Sequence, residues 1–122
     1  MALPRSFTVA DLYAMPESER GEQYELIDGD LLVNPAPALR HQVISSNLFF
    51  HLSAHVRTQR IGWVGDNSGV QIGDRTRVVP DLVFVAREHQ DILGEANIEG
   101  SPDLVVEIVS PSTRRNDLLT KR

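Results

Sequence analysis

The chain lacks cysteine altogether and contains one lysine and one tryptophan among its 122 residues. Without cysteine there is no disulfide framework, no thiolate nucleophile and no cysteine-rich zinc site. No stretch approaches the roughly 18 apolar residues of a membrane-spanning helix. Residues 1–7 hold one basic residue and are not followed by the apolar core of a signal peptide. We therefore expect a cytoplasmic protein that does not enter a membrane, and any function that requires a lysine depends on Lys121.

Positive charge is also scarce, since the formal net charge is −5. This excess of negative charge argues against a protein that coats nucleic acid through bulk electrostatic attraction. It does not exclude a nuclease, because metal sites gather carboxylates and the bound ions reverse the local charge. The apolar fraction of 41% and charged fraction of 24% are those of an ordinary globular protein, and we expect residues 1–122 to form a single domain.

Short helices and strands are predicted along the first half of the chain. Thr8 can cap a short helix that Pro16 ends. Asp28-Gly29 lies between two short apolar runs and predicts a β-hairpin. Residues 38–59 form the longest predicted helix. Its apolar stripe comprises Val43, Ile44, Leu48, Leu52 and Val56.

Two later segments have the β-branched composition of strands, at residues 81–85 and 103–109. Both begin alike, because Pro80-Asp81-Leu82-Val83 recurs as Pro102-Asp103-Leu104-Val105. The second segment carries Glu107 in the middle of its apolar run. An ionised carboxylate inside a buried strand is costly unless a cation, a metal or several donors meet it. Glu107 is therefore the first candidate for a functional residue.

Whether Asp81 can meet Glu107 depends on how these two strands pair. In an antiparallel pair that closes Ala86 against Asp103, Asp81 falls opposite Ile108 and next to Glu107. In a parallel pair, Glu107 lies four residues farther along, at about 3.3 Å per residue, which is too far to share an ion. Residues 87–101 contain no convincing crossover helix, so we expect the antiparallel arrangement.

Two neighbouring carboxylates repel each other unless a cation lies between them, and oxygen ligands of this kind suit Mg²⁺ or Mn²⁺. A third group could come from a final helix that contains Lys121, whose ammonium would offset charge or orient a water molecule. Purely structural roles are the alternative. Asp81 would then cap a strand and Glu107 would pair with a buried arginine, while Asp117 and Lys121 would form a surface ion pair.

Several of these motifs, in this order, resemble the Uma-type family of restriction endonuclease-like proteins, within the PD-(D/E)XK nuclease superfamily. The resemblance runs from about Phe7 to Lys121. The motifs that carry it are Tyr24-Glu25-Leu26-Ile27-Asp28-Gly29, His41 on the long helix, Pro80-Asp81-Leu82-Val83, and Pro102-Asp103-Leu104-Val105-Val106-Glu107-Ile108-Val109-Ser110-Pro111-Ser112-Thr113.

The resemblance implies an α+β fold, with a mixed β-sheet flanked by helices in an α/β/α sandwich-like arrangement. It also implies metal-dependent phosphodiester cleavage, with Asp81 and Glu107 as ligands of Mg²⁺ or Mn²⁺ and the Ile108 carbonyl as a further ligand. Glu25 and His41 match positions that support the site, although an outward glutamate and a structural histidine are the alternatives. A homodimer is an expectation from the resemblance alone.

The chain departs from the superfamily pattern at two places. Val109 stands where the motif has its lysine, and in this family Lys121 of the next helix matches the displaced lysine. The family also continues with further strands after that helix, so we expect the present chain to lack them and to be a fragment or the product of a truncated gene. The leading hypothesis is a Mg²⁺-dependent endonuclease acting on DNA, with Asp81, Glu107 and Lys121 as catalytic residues. The alternative is a catalytically inactive, nuclease-like binding module.

Overall fold

A computed structural model of the chain describes residues 6–109. Its architecture is α+β, as predicted, with helices beside two hydrogen-bonded sheets. The helices are α1 (Val9–Ala14), α2 (Leu39–Gln59) and a 3₁₀ helix (Arg87–Ile92). The strands are β1 (Gln23–Ile27), β2 (Asp30–Asn34), β3 (Gly62–Asp66), β4 (Val70–Gln71), β5 (Arg77–Val78), β6 (Leu82–Ala86), β7 (Ile98–Glu99) and β8 (Leu104–Val106).

The larger sheet has five strands in the order β2-β1-β5-β4-β7 and is mixed, because β4 and β7 run parallel. It begins with the predicted hairpin, in which Ile27 pairs with Asp30. The two turn residues, Asp28 and Gly29, have φ angles of 49° and 86°. Positive φ at both positions is the geometry of a type I′ turn, which follows the right-handed twist of the strands.

The smaller sheet has the order β3-β6-β8, and both of its pairs are antiparallel. The predicted antiparallel pairing of the two later strands is thus confirmed. Its register differs by one residue from the prediction, since Phe84 pairs with Leu104 and Leu82 with Val106. At the end of this strand pair, the Asp103 side chain accepts a hydrogen bond from the Ala86 N–H at 2.6 Å, so Ala86 is bonded to a side chain and not to the backbone of β8.

The two sheets meet across a buried cluster of four apolar residues from β4, β6 and β7. These residues are Val70, Val83, Val85 and Ile98. A second cluster joins α1 to β1 through Val9, Leu12 and Leu26. The predicted cap of α1 is confirmed as a capping box, because Thr8 and Asp11 each accept a hydrogen bond from the other's backbone N–H.

Helix α2 has the predicted limits to within a residue, and it packs against β3. The predicted apolar stripe is wrong in its first half, since Val43, Ile44 and Leu48 are 52%, 39% and 43% exposed. The more buried face is formed instead by His41, Ser45, Phe49, Leu52, Ser53 and Val56. Within residues 6–109, no helix combines the length and the apolar composition needed to cross a membrane.

Candidate functional site

Asp81 lies immediately before β6, and both of its carboxylate oxygens contact other parts of the chain. Oδ2 accepts a hydrogen bond from the Ile108 N–H at 2.7 Å. Oδ1 lies 3.2 Å from Nε2 of His41, and each of these two side chains is 15% exposed. Ile108 is positioned by the pairing of β8 with β6, and His41 lies in the first turn of α2. Three elements, β6, β8 and α2, therefore hold this carboxylate and its partners in place.

The ring of His41 is held on one side only. A contact between Nε2 and a carboxylate requires a proton on Nε2. Nδ1 is buried and has no hydrogen-bond partner in the part of the chain that the structure describes. Leaving a buried polar atom unpaired costs about 1–3 kcal/mol. The orientation of this ring therefore depends on Asp81, and the two residues form one unit.

Glu107 is in a different environment from the one predicted. The strand ends at Val106, and Glu107 is exposed. Leu104 and Val105 are also 49% and 48% exposed, and within residues 6–109 β8 pairs with β6 alone. The prediction of a carboxylate inside a buried strand is therefore wrong.

The proximity of Glu107 to Asp81 depends on the register instead. The pairing ends with Leu82 opposite Val106, and Asp81 and Glu107 are the next residues on either side of that pair. Both acidic residues therefore lie at the same end of the smaller sheet.

Glu25 occupies the middle of β1 and is half-buried. One carboxylate oxygen accepts a hydrogen bond from Nδ2 of Asn34 at 2.7 Å, and the other accepts one from the Val79 N–H at 2.6 Å. Val79 lies two residues before Asp81 on the segment that connects β5 to β6. Glu25 therefore anchors the backbone leading into Asp81, rather than contacting the Asp81 side chain.

Asp103 reproduces the surroundings of Asp81 at the opposite end of the β6–β8 pair. Its Oδ2 accepts the Ala86 N–H at 2.6 Å, and its Oδ1 lies 2.8 Å from Nδ1 of His89. The Ala86 hydrogen bond, with a smaller contribution from His89, lowers the pKa of the Asp103 carboxyl against the opposing effect of desolvation. The repeated Pro-Asp-Leu-Val motif hinted at this similarity, but nothing in the sequence pointed to His89.

The predicted metal ligands, Asp81, Glu107 and the Ile108 carbonyl, are all oxygen donors. Mg²⁺ uses one or two carboxylates while keeping several waters. Within residues 6–109, no cluster of three or more histidine, cysteine or acidic residues is arranged to hold a metal. A site with few protein ligands, all of them oxygen atoms, fits Mg²⁺ or Mn²⁺ better than Zn²⁺, because Zn²⁺ takes three or four protein ligands. Lys121 lies outside the described residues.

Comparisons with known proteins point in one direction. Among curated proteins, no match was found. The chain is similar to the crystal structure of a "putative nuclease belonging to DUF820" from Anabaena variabilis ATCC 29413, with 24% sequence identity and a TM-score of 0.71. The alignment covers 94% of this chain and 65% of that one, so the chain spans less than two thirds of that protein's length while sharing its fold.

The family comparison covers nearly the whole chain. Residues 9–122 match the model of the family described as "Uma2: Putative restriction endonuclease". This range includes every motif on which the resemblance was based. The chain therefore belongs to the Uma2 family.

Proposed function

We propose that this chain forms the metal-binding core of a nuclease that hydrolyses phosphodiester bonds in DNA, with Mg²⁺ or Mn²⁺ as its cofactor. The observation that carries the proposal is the Asp81 carboxylate, fixed between His41 and the Ile108 N–H, with Glu107 next to Ile108 in the chain. Membership of a family described as restriction endonucleases supports the same chemistry.

In this proposal, Asp81, Glu107 and the Ile108 carbonyl hold the metal. When bound, the ion would polarise the scissile phosphate and lower the pKa of an attacking water. His41 and the Ile108 N–H keep the Asp81 carboxylate in one orientation, so that it need not be ordered at the moment of reaction. Lys121 supplies a positive charge that orients the water or offsets charge on the phosphate.

The test is cleavage of supercoiled plasmid in Mg²⁺, in Mn²⁺ and in EDTA. We expect cleavage only with the metals, and we expect Asp81→Asn and Glu107→Gln to lower the initial rate by more than about 100-fold. Loss of a group that only orients a metal ligand already lowers activity by about 10- to 100-fold. Loss of the ligand itself should therefore cost more.

Asp103→Asn is the matched control, because Asp103 shares the motif, the backbone hydrogen bond and the histidine contact of Asp81. It should cleave at the rate of the unsubstituted chain. Cleavage that survives in both Asp81→Asn and Glu107→Gln would overturn the proposal. Equal loss in Asp103→Asn would show that the rates report folding rather than metal binding.

The second candidate is a binding module with a nuclease-like fold and no catalysis. It is favoured by one observation, namely that within residues 6–109 no group of three or more histidine, cysteine or acidic residues is arranged to hold a metal ion. Gel-shift measurements on the same plasmid separate the two candidates. Retention of uncut plasmid in Mg²⁺ and Mn²⁺, without cleavage, would favour the module.

A further inference from the structure

An open cavity of about 480 Å³ is lined by residues of both sheets and of the segment before β7, and none of them contacts the Asp81 carboxylate. Its volume is within the range of about 300–1,000 Å³ that small-molecule sites occupy. Trp63 and Leu93 give it an apolar wall, while Arg77, Asn67 and Glu95 give it polar groups. In ligand sites, a small number of placed polar groups beside an aromatic surface fixes the orientation of the ligand.

The guanidinium of Arg77 is fixed by neutral groups. Its Nε donates to Oδ1 of Asn97 at 3.1 Å, and its Cζ lies 5.4 Å from the centre of the Tyr13 ring. Asn97 is 8% exposed and is held in turn, since its Nδ2 donates to the Tyr13 hydroxyl and to Oε1 of Gln71. The guanidinium is therefore oriented before any ligand arrives.

Arg77 forms no ion pair with an acidic residue in the described part of the chain, whereas Asp81 and Asp103 each contact a histidine there. A half-buried arginine is usually paired with a carboxylate or a phosphate. The two terminal nitrogens of Arg77 therefore remain available to a ligand. The planar guanidinium group suits a planar partner that carries two acceptors.

Gly69 is required for this arrangement. A Cβ at this position would fall 2.4 Å from Nη2 of Arg77 and 2.4 Å from Oδ1 of Asn97. Contacts that short do not occur, so any side chain at position 69 would displace the guanidinium. The close approach of the backbone is thus what keeps the arginine against the cavity wall.

The cavity is connected to the proposed metal site through the backbone. Asn67 lines the cavity, and its N–H donates to the Asp81 carbonyl at 3.3 Å. Arg77 precedes Asp81 by four residues, which in extended chain is at most about 13 Å. One single-stranded segment could therefore reach both places.

We propose that this cavity binds an unpaired guanine base of a nucleic-acid strand whose phosphate lies at Asp81. Guanine O6 and N7 form the two-acceptor edge that arginine recognises most often, and an indole such as Trp63 offers a surface for stacking an unstacked base. Glu95 on the cavity lining disfavours a bare phosphate, while a carboxylate accepts from the amino edge of guanine. This inference rests on the proposed nuclease function for the position of the phosphate.

Trp63 is the only tryptophan in the chain, so its fluorescence reports on this cavity directly. We expect guanosine monophosphate to quench it saturably in EDTA, and Arg77→Gln to weaken that binding by about tenfold or more. Inorganic phosphate and deoxyribose phosphate should leave the fluorescence unchanged. Arg57→Gln, which removes an exposed cation from α2, is the matched control and should bind as before.

A second variant covers the case in which Arg77→Gln fails to fold. Ala96 is an exposed residue of the cavity lining, and Ala96→Phe should fill the cavity without disturbing the Arg77 hydrogen bonds. We expect this variant to lose quenching while keeping the thermal unfolding of the parent chain. Quenching by inorganic phosphate alone, or undiminished quenching in both variants, would overturn the guanine site.

The outcome is independent of cleavage, because the titration is made without metal and is repeated on Asp81→Asn. Quenching retained in a variant that cannot cleave would leave this inference standing even if the metal site were wrong. Cleavage by a chain that shows no saturable quenching with guanosine monophosphate would overturn this inference and leave the proposed nuclease intact.

Discussion

At the level of single residues, Asp81 and Asp103 belong to the same Pro-Asp-Leu-Val motif but lie in different environments. Each precedes a strand and accepts an N–H from the far end of the other strand, with a histidine on its second oxygen. The difference is burial, since His41 is 15% exposed while His89 is 59% exposed. The shared contacts stabilise the strand pair, so the less exposed member, Asp81, is the stronger candidate for chemistry.

Asp103 should make the stability of the fold depend on pH in the acid range. Its pKa in the folded chain is lowered, mainly by the Ala86 N–H, so the ionised form is favoured by folding. Stability from this group is complete above the ordinary value near 3.8 and is lost as the pH falls through the lower folded value. We expect Asp103→Asn to be less stable than the parent at pH 7, with a smaller difference at lower pH.

Urea unfolding between pH 3 and pH 7 measures this effect, a range chosen around the ordinary aspartate pKa of about 3.9. Asp74→Asn, which removes an exposed carboxylate at a turn, is the comparison. Parallel curves for Asp103→Asn and the parent across the whole range would contradict the assignment.

Among the secondary-structure elements, those with strong local patterns were predictable. Asp28-Gly29 specified the hairpin because its geometry needs positive φ at two positions. The limits of α2 followed from its length and flanking residues. The two-residue strands β4, β5 and β7 could not be defined in the same way, because two residues carry no periodicity and their pairing is long-range.

The packing of α2 illustrates why its buried face was mispredicted. The face against β3 includes Ser45 and Ser53, whereas Val43 and Leu48 lie on the exposed side. A hydropathy pattern selects the most apolar stripe, but the neighbouring strand decides which stripe is covered. His41 belongs to the covered face, so its contact with Asp81 follows from the packing and not from the sequence pattern.

Glu25 should couple the hairpin to the proposed metal site. Glu25→Ala removes the acceptor for both Asn34 and Val79, and we expect the free energy of unfolding to fall by about 1–3 kcal/mol. Glu25→Gln retains one acceptor oxygen, so it should be less destabilising while still loosening the segment before Asp81.

The Mg²⁺ dependence of cleavage shows whether Glu25 positions the metal ligand Asp81 or only stabilises the fold. We expect Glu25→Gln to raise the Mg²⁺ concentration for half-maximal rate by about tenfold, as lost outer contacts do at metal sites. A variant that is destabilised yet has an unchanged Mg²⁺ requirement would assign Glu25 to the fold alone.

For the whole molecule, the order of motifs predicted the family and the fold, whereas the cavity lined by both sheets had no counterpart in the sequence. Arg77 lies on β5, Tyr13 lies on α1 and Asn97 directly precedes β7, and the three meet because β5 is central in the larger sheet. Contacts of this kind depend on tertiary packing. The same limit applies to Glu107, whose exposure depends on how β8 pairs.

Metal binding should stabilise the entire fold, because an ion that binds only the folded state adds RT ln(1 + [Mg²⁺]/Kd) to its stability. At about tenfold excess over Kd this is about 1.4 kcal/mol, or a rise in Tm of several degrees for a domain of this size. Asp81→Asn should lose this increment and, like Asp103→Asn, should be less stable than the parent in EDTA, because its amide offers one acceptor oxygen for the two donors that Asp81 meets. Asp103→Asn should keep the increment. Thermal unfolding with Mg²⁺ against KCl of equal ionic strength makes the comparison, and an equal rise in all three chains would mean that Mg²⁺ acts elsewhere.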